Sequence, residues 1–445
     1  MTTSIKQNNT YQELFNTRSG KAYLTELPKV SKIFSGQSFL YRQHGTRSMV
    51  IDIRLTDVID QELLQIAVNR SLQRYPYLSS MLVRKDAHYN LTHDPLPLIV
   101  AQQHSLRVLG SKDVNYHLID ITFEQKRLFV SYHHALVDGR GIMPFVRTLL
   151  YYYISSKVGL LYGVPKVNLA NDPLSLDEMQ EPFSNLPELK IPQNSTQDHG
   201  ENSYSLPESR AFDPQADSYR FETVIDQTSF MTFAKAHNAT PAIAIGIMLE
   251  QAIHRAHPKT TDPVMVNLAS DLRSVITYQK TARNCVNSIS LPINTPITTD
   301  SDFTETATAF RKQIQLQKKP EYILQTINKM QQLFDTLDAL DSFQEKQKMM
   351  SAFDTNLINT FVLSYSGQLR LGSLEKYIDE VHTYMSGTNG LSVQMLAANQ
   401  KLFIDILQSF SSDIYVKEFR NILQENHIKY NSLNKKTFQT PYSLF

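Results

Sequence analysis

One cysteine and no tryptophan stand in 445 residues. A single thiol excludes an internal disulfide and any zinc site built from several cysteines. Long apolar runs are missing too. The longest, Pro241 to Leu249, falls far short of the ~20 residues a membrane helix needs. The stretch Met1 to Asn9 is polar and lacks the apolar centre of a secretory signal. Charge of one sign is absent: 44 Lys and Arg against 43 Asp and Glu leave +1. That excludes nucleic acid as the main partner, because phosphate binding needs clustered positive charge. These absences predict a soluble cytoplasmic protein without a transmembrane segment. What is present builds cores: 41% of residues are hydrophobic and the mean hydropathy is −0.31. Such a chain is not disordered, and its length predicts two lobes of about 200 residues each.

Chemistry concentrates in one run, His133-His134-Ala135-Leu136-Val137-Asp138-Gly139. It lies where an expected strand, Arg127 to Tyr132, gives way to an expected helix. An imidazole, a carboxylate four residues on and a glycine share one short turn. Histidine has an unperturbed pKa near ~6.5, so it can take and return a proton at neutral pH. Adjacent strand histidines point to opposite faces, so His133, His134 and Asp138 are a poor metal set and no metal is expected.

The first half reads as mixed α/β. Met49 to Leu55 alternates like a strand. Asp60 caps a helix with apolar positions Leu63, Leu64, Ala67, Val68 and Leu72, and Tyr75-Pro76 stops it. His117 to Phe123 and Leu128 to His133 form a hairpin around a polar turn. Ile142, Phe145, Val146, Leu149, Leu150 and Tyr153 mark one helix face, with Pro144 expected in its first turn. Tyr151 to Tyr153 reads as helix packing. From about Asn168 to Asp217 the chain turns polar and proline-spaced, too long for a loop inside one compact domain. The expected division is an N-terminal lobe at 1–170, an interlobe crossover at 171–217 and a C-terminal lobe at 218–445. In the last, strands are expected at 218–225, 264–268, 287–291 and 359–363. Helices are expected at 229–237 and from Thr240-Pro241 to His254, with a long helical region from Asp302 to Asp354.

His-His-x-x-x-Asp-Gly at a strand end in a chain of this length resembles the signature of the chloramphenicol-acetyltransferase-like acyltransferases. That superfamily includes condensation domains, plant HxxxD acyltransferases, alcohol O-acetyltransferases and polyketide-associated acyltransferases. Further segments are similar: Ala67 to Leu78 to the first helix and its proline turn, and Asn267 to Arg273 to the strand ending in Asp-Leu-Arg. Arg283-Asn284-Cys285-Val286-Asn287 resembles the segment that follows, and Leu363 to Leu369 the Ser-Asn-x-Gly turn. The plant branch's Asp-Phe-Gly-Trp-Gly is absent, as the lack of tryptophan requires. Arg283 stands where glycine is usual, and Tyr365 where asparagine is usual.

The resemblance implies two similar α/β lobes, each a mixed sheet with helices, around a central channel. It assigns the general base to His134. Such a base is worth ~10²–10⁴-fold. His133 should face the other way, and Gly139 should free the backbone of the turn. The plain alternative is that the two histidines merely end a strand and cap a helix. The resemblance implies that Asp138 pairs with Arg273 rather than relaying charge to His134; Arg283 is the rival partner. Ser364 or Ser366, near Gly367, and Asn284 are candidate oxyanion or donor-site residues, against the reading of an ordinary turn. Cys285 has no neighbouring base and reads as a small buried hydrophobe rather than a nucleophile.

The implied activity is acyl transfer from a thioester to a hydroxyl or amine, in secondary metabolism. Acyl-CoA is the favoured co-substrate, and no cofactor is expected to be permanently bound. The alternatives are a stand-alone condensation-type enzyme fed by acyl-phosphopantetheine on an acyl or peptidyl carrier protein, and a non-catalytic scaffold of the same fold.

Overall fold

The computed structural model describes residues 31–42, 48–103, 105–159, 164, 167–184, 186, 203–209, 217–355, 359–385, 388 and 390–438. In chain order the elements begin with β1 (Ser31–Lys32), α1 (Gln37–Leu40), β2 (Ser48–Leu55), α2 (Gln61–Arg74), β3 (Ser80–Lys85) and β4 (His88–His93). Next come β5 (Ala101–Gln102), β6 (Ile119–Glu124), β7 (Arg127–His133) and α3 (Gly139–Val158). The second half holds β8 (Ser218–Asp226), α4 (Gln227–Ala236), α5 (Pro241–Ala256), β9 (Val264–Asp271) and β10 (Val286–Ile293). Three helices follow, α6 (Asp300–Gln317), α7 (Pro320–Asp338) and α8 (Phe343–Thr355). The chain then closes with β11 (Phe361–Gln368), β12 (Ile378–Met385), β13 (Leu391–Ala398), β14 (Lys401–Gln408), α9 (Ile414–Glu425) and β15 (Tyr430–Phe438).

The architecture is mixed α/β with two sheet-rich lobes. The first sheet runs β12-β2-β7-β6-β5 and the second β10-β9-β11-β13-β14-β8-β15. A small sheet, β1-β4-β3, flanks the first. β12 belongs to the second half of the sequence yet completes the first sheet, antiparallel to β2 with Val381 opposite Ile53. Each large sheet buries one helix-covered core. Leu64, Val68 and Leu72 of α2 and Phe145 and Leu149 of α3 pack with Ile53, Ile121 and Val130. On the second sheet, Ile243, Ile247 and Phe419 pack with Val266, Val393 and Ile404. Val50, Phe129, Tyr384 and Leu407 form a small apolar cluster between the sheets.

Local chemistry explains the helix ends. Asp60 caps α2 by accepting from the N–H groups of Glu62 and Leu63 at 2.9 and 3.0 Å. Gln125, with φ of 49°, makes the tight β6–β7 turn. The helix after the motif departs from expectation. It begins at Gly139, so Pro144 lies in its second turn rather than its first. There proline removes an N–H that would have bonded the Arg140 carbonyl, a cost the first turn would have avoided. The Asp302–Asp354 helical region is three helices, broken at Lys318-Lys319-Pro320 and at Ala339–Ser342. No helix among the described residues is long and apolar enough to cross a membrane.

Candidate active site

β7 delivers the histidine pair. His133 donates its main-chain N–H to the Leu118 carbonyl at 2.8 Å, which fixes the strand end. The Leu136 N–H donates to the His133 carbonyl at 3.0 Å and starts the turn. The His133 side chain serves that turn: its Nδ1 accepts from the Ala135 N–H at 3.1 Å.

His134 makes no comparable bond. Its Nδ1 is buried without a well-formed hydrogen bond among the described residues. The ring lies flat against Phe39, with centroids 4.2 Å apart and planes 10° apart, and Tyr132 tilts beside it at 6.3 Å. Burial pushes the imidazole pKa down to about 4; Asp138 and the residue's own main chain oppose this, and Arg42 adds to it. The ring is therefore neutral at physiological pH, the state a proton acceptor needs.

Asp138 points elsewhere. One carboxylate oxygen accepts from the Gly141 N–H at 2.7 Å, capping α3, and from Arg273 Nη2 at 2.9 Å. The other accepts from the Cys285 N–H at 2.9 Å. Every atom of this carboxylate is used to join the motif to the second half of the chain. Arg273 is engaged at every nitrogen: Nε donates to the Thr281 carbonyl, Nη1 to Asp271 and Nη2 also to the Arg283 carbonyl, at 2.8–2.9 Å. Arg283 does not reach Asp138; its guanidinium turns to the Met179 and Leu136 carbonyls, each at 3.4 Å. Arg140 adds an ion pair to Asp271.

Two glycines behave differently. Gly139 does not use left-handed backbone, so the expected conformational freedom is not its part. Its bare Cα leaves space bounded by Tyr132 Oη and Ser366 Oγ, which lie 3.5 and 4.0 Å from where a Cβ would be. Gly141 is the one that tolerates nothing: a Cβ there would sit 2.0 Å from the Ala282 carbonyl oxygen.

Ser366 thus reaches the motif from the second sheet. Leu363 and Tyr365 of β11 pack toward the second core. Ser364 and Ser366 alternate with them on the other face. Gly367 has φ of 81°, where β11 slips out of register with β13. The Asn284 amide donates one N–H to the Ser35 carbonyl at 3.0 Å and accepts from the Val286 N–H. Cys285 is fully buried and burial pushes its thiol pKa up, which removes nucleophilic character.

Sequence reading missed Phe39 and Tyr132. Tyr132 carried a signal, since it stands two residues before His134 at the end of the strand. Phe39 carried none, because its contact is purely tertiary. Glu222, His382 and Asp405 bring donor atoms within 4.8 Å of one another away from this site. Arg220 and Lys436 already pair with Glu222, and Asp405 holds His382, so the donors are consumed as ion pairs.

No family model matches the chain, and no curated protein matches it by sequence. Solved structures do. Polyketide synthase associated protein 5 from Mycobacterium tuberculosis aligns with a TM-score of 0.60 and 13% identity, over 88% of this chain and 98% of that one. The trichothecene 15-O-acetyltransferase TRI3 from Fusarium sporotrichioides gives 0.57 and 9%, over 89% and 94%. TRI101 from F. graminearum, complexed with coenzyme A and deoxynivalenol, gives 0.54 and 10%, over 90% and 99%. The chain has the chloramphenicol-acetyltransferase-like fold of condensation domains and acyltransferases.

Proposed function

We propose that this chain is a thioester-dependent acyltransferase of the HxxxD type, with acyl-CoA as donor and His134 as general base. One observation carries the reading: His134 lies buried against Phe39 and Tyr132, while Asp138 is turned away and spent on Gly141, Arg273 and Cys285. The histidine therefore acts as a lone base rather than as part of a relay.

With Nδ1 buried, Nε2 is the nitrogen offered to substrate. It takes the proton of an acceptor hydroxyl or amine as that atom attacks the thioester carbonyl. The tetrahedral oxyanion receives a hydrogen bond from Ser366 or Ser364; such a donor is worth ~3–4 kcal/mol. Collapse breaks the C–S bond, and the departing thiolate takes the proton back from His134. The lobes are assigned to residues 1–170 and 218–445, with β12 of the second range lent to the first sheet. The neighbours bound to coenzyme A, or to C8-CoA in a starter condensation domain, support a CoA-type donor.

The test is thiol release and product mass spectrometry from an acyl-CoA panel with small-molecule extract as acceptor. Turnover that His134→Ala lowers by at least ~10²-fold supports the reading. Turnover with carrier-bound acyl groups alone would move the donor to a carrier protein, and none with either would leave a scaffold.

A further inference from the structure

Among the described residues His134 Nδ1 has no well-formed hydrogen bond beyond its approach to its own main chain, so packing fixes the plane of the ring. The packing comes from α1. A Cβ on Gly36 would lie 2.6 Å from the Ala135 Cα, so α1 rests directly on the motif backbone. Three residues later Phe39 lies flat on His134. Phe39 is only half-buried and is not part of the apolar cores. The Arg42 guanidinium sits over the same ring, 5.6 Å from its centroid. Asp354, near the end of α8, grips Arg42 through Nε and Nη2 at 2.7–2.9 Å. Both members of that pair keep less than a fifth of their side-chain exposure. Three segments distant in sequence thus meet in one stack ending on the imidazole.

We propose that Phe39 is a positioning residue, held by the Arg42–Asp354 pair, that fixes the plane of His134 and closes one face of its ring. This rests on the reading of His134 as the base. A ring stacked at 4.2 Å leaves no room for substrate between the two. The acceptor must approach in the plane of the imidazole, toward Nε2. The stack also keeps water from the ring, which favours the neutral form. The charged and titratable groups facing His134 are Arg42 from the α1 side, Asp138 from the start of α3 with Arg273 behind it, and Tyr132 from β7.

The test uses the full chain with Phe39→Ala, Phe39→Tyr and Asp354→Asn. The His134 ring is titrated by NMR in histidine-labelled protein, its signal assigned by loss in His134→Ala. This needs no substrate. In Phe39→Ala the ring should titrate closer to the ordinary value of ~6.5. kcat should fall ~10–100-fold with KM for the donor nearly unchanged, as misplacement of a catalytic group predicts. Phe39→Tyr should restore both. Asp354→Asn should lower kcat alone but add nothing to Phe39→Ala, because it acts through the same ring. Parental titration and kcat in Phe39→Ala would overturn the proposal, as would fully additive losses. If Phe39→Ala fails to fold, Asp354→Asn decides: parental kcat there overturns it. If His134→Ala keeps parental turnover, the proposed function fails, while the titration still decides whether Phe39 sets the ring.

Discussion

At the scale of single residues, the site turns on the protonation state of one imidazole. Burial lowers the His134 pKa to about 4. A free histidine loses its base function below ~6.5. Here the acid limb of kcat/KM should lie near 4, because that limb reports the free enzyme. An acid limb at the ordinary histidine value would contradict the burial. The same shift acts on stability, with a definite sign. Between pH 6.5 and 4 the unfolded chain binds a proton at this histidine and the folded chain does not. Its contribution is present above the unfolded value and is lost as pH falls through that window. The role of Asp138 was legible only through the resemblance, and Arg283, ten residues after Arg273, stood as a rival partner. The Phe39 contact was illegible, because no local period or spacing encodes a stack between α1 and the end of β7.

At the scale of elements, the first turn of α3 does most of the joining. It presents Asp138 to Arg273 and to the Cys285 N–H, and Gly141 to Ala282. Breaking a buried pair by removing one partner typically costs ~3–5 kcal/mol, since the other charge is stranded. Asp138→Asn and Arg273→Met should each lower the denaturation midpoint and, as a consequence, activity. The double variant should lose less than the two together; strict additivity in a denaturant double-mutant cycle would show the pair to be uncoupled. The two glycines give a sharper contrast. Alanine has the better helix propensity at both positions. Yet Gly141→Ala must push the Ala282 carbonyl away and should cost at least ~1–3 kcal/mol as overpacking. Gly139→Ala meets only ordinary contacts and should leave Tm nearly unchanged. Equal Tm values for the two would refute the close approach. The helix itself was legible from its apolar face. Its start was not, because Asp138 reads equally well as chemistry and as a cap, and it proves to be a cap that also binds Arg273.

At the scale of the whole molecule, the two sheets are locked by charge. Asp52 of β2, Arg127 of β7, Glu380 and His382 of β12, Arg220 and Glu222 of β8, Asp405 of β14 and Lys436 of β15 form one largely buried network. Burial opposes the charge on His382, but Asp405 and Glu380 outweigh it and raise its pKa to about 9. Four carboxylates face Arg127, Arg220 and Lys436, with the more exposed Arg54 also on Glu380, and protonated His382 adds its charge between Asp405 and Glu380. This stabilisation is fully present below ~6.5 and is lost as pH rises through 9. Arg220→Met, at 4% side-chain exposure, should cost ~3–5 kcal/mol and deepen that alkaline loss, because the carboxylates it leaves bare hold the His382 proton more tightly; a parental pH–stability curve would count against the lock. Strands β2, β6 and β7 of the first sheet and β8 to β11 of the second half were legible, because they alternate or sit between clear turns, whereas β1, α1, β3, β4 and β5 went unread. The strands after β11 were not legible either. β13 is buried at every position, so it shows no period of two. β12 reads as polar because its charges are paired across the junction.

The two lobes, the stapled turn and the neutral imidazole converge on a single chemical claim, acyl transfer through His134. The most direct measurement is turnover of an acyl-CoA panel by the parent chain and by His134→Ala at matched Tm. The account predicts acylated product from the parent and a loss of at least ~10²-fold in the variant, with the fold intact. Near-parental turnover by His134→Ala would contradict it.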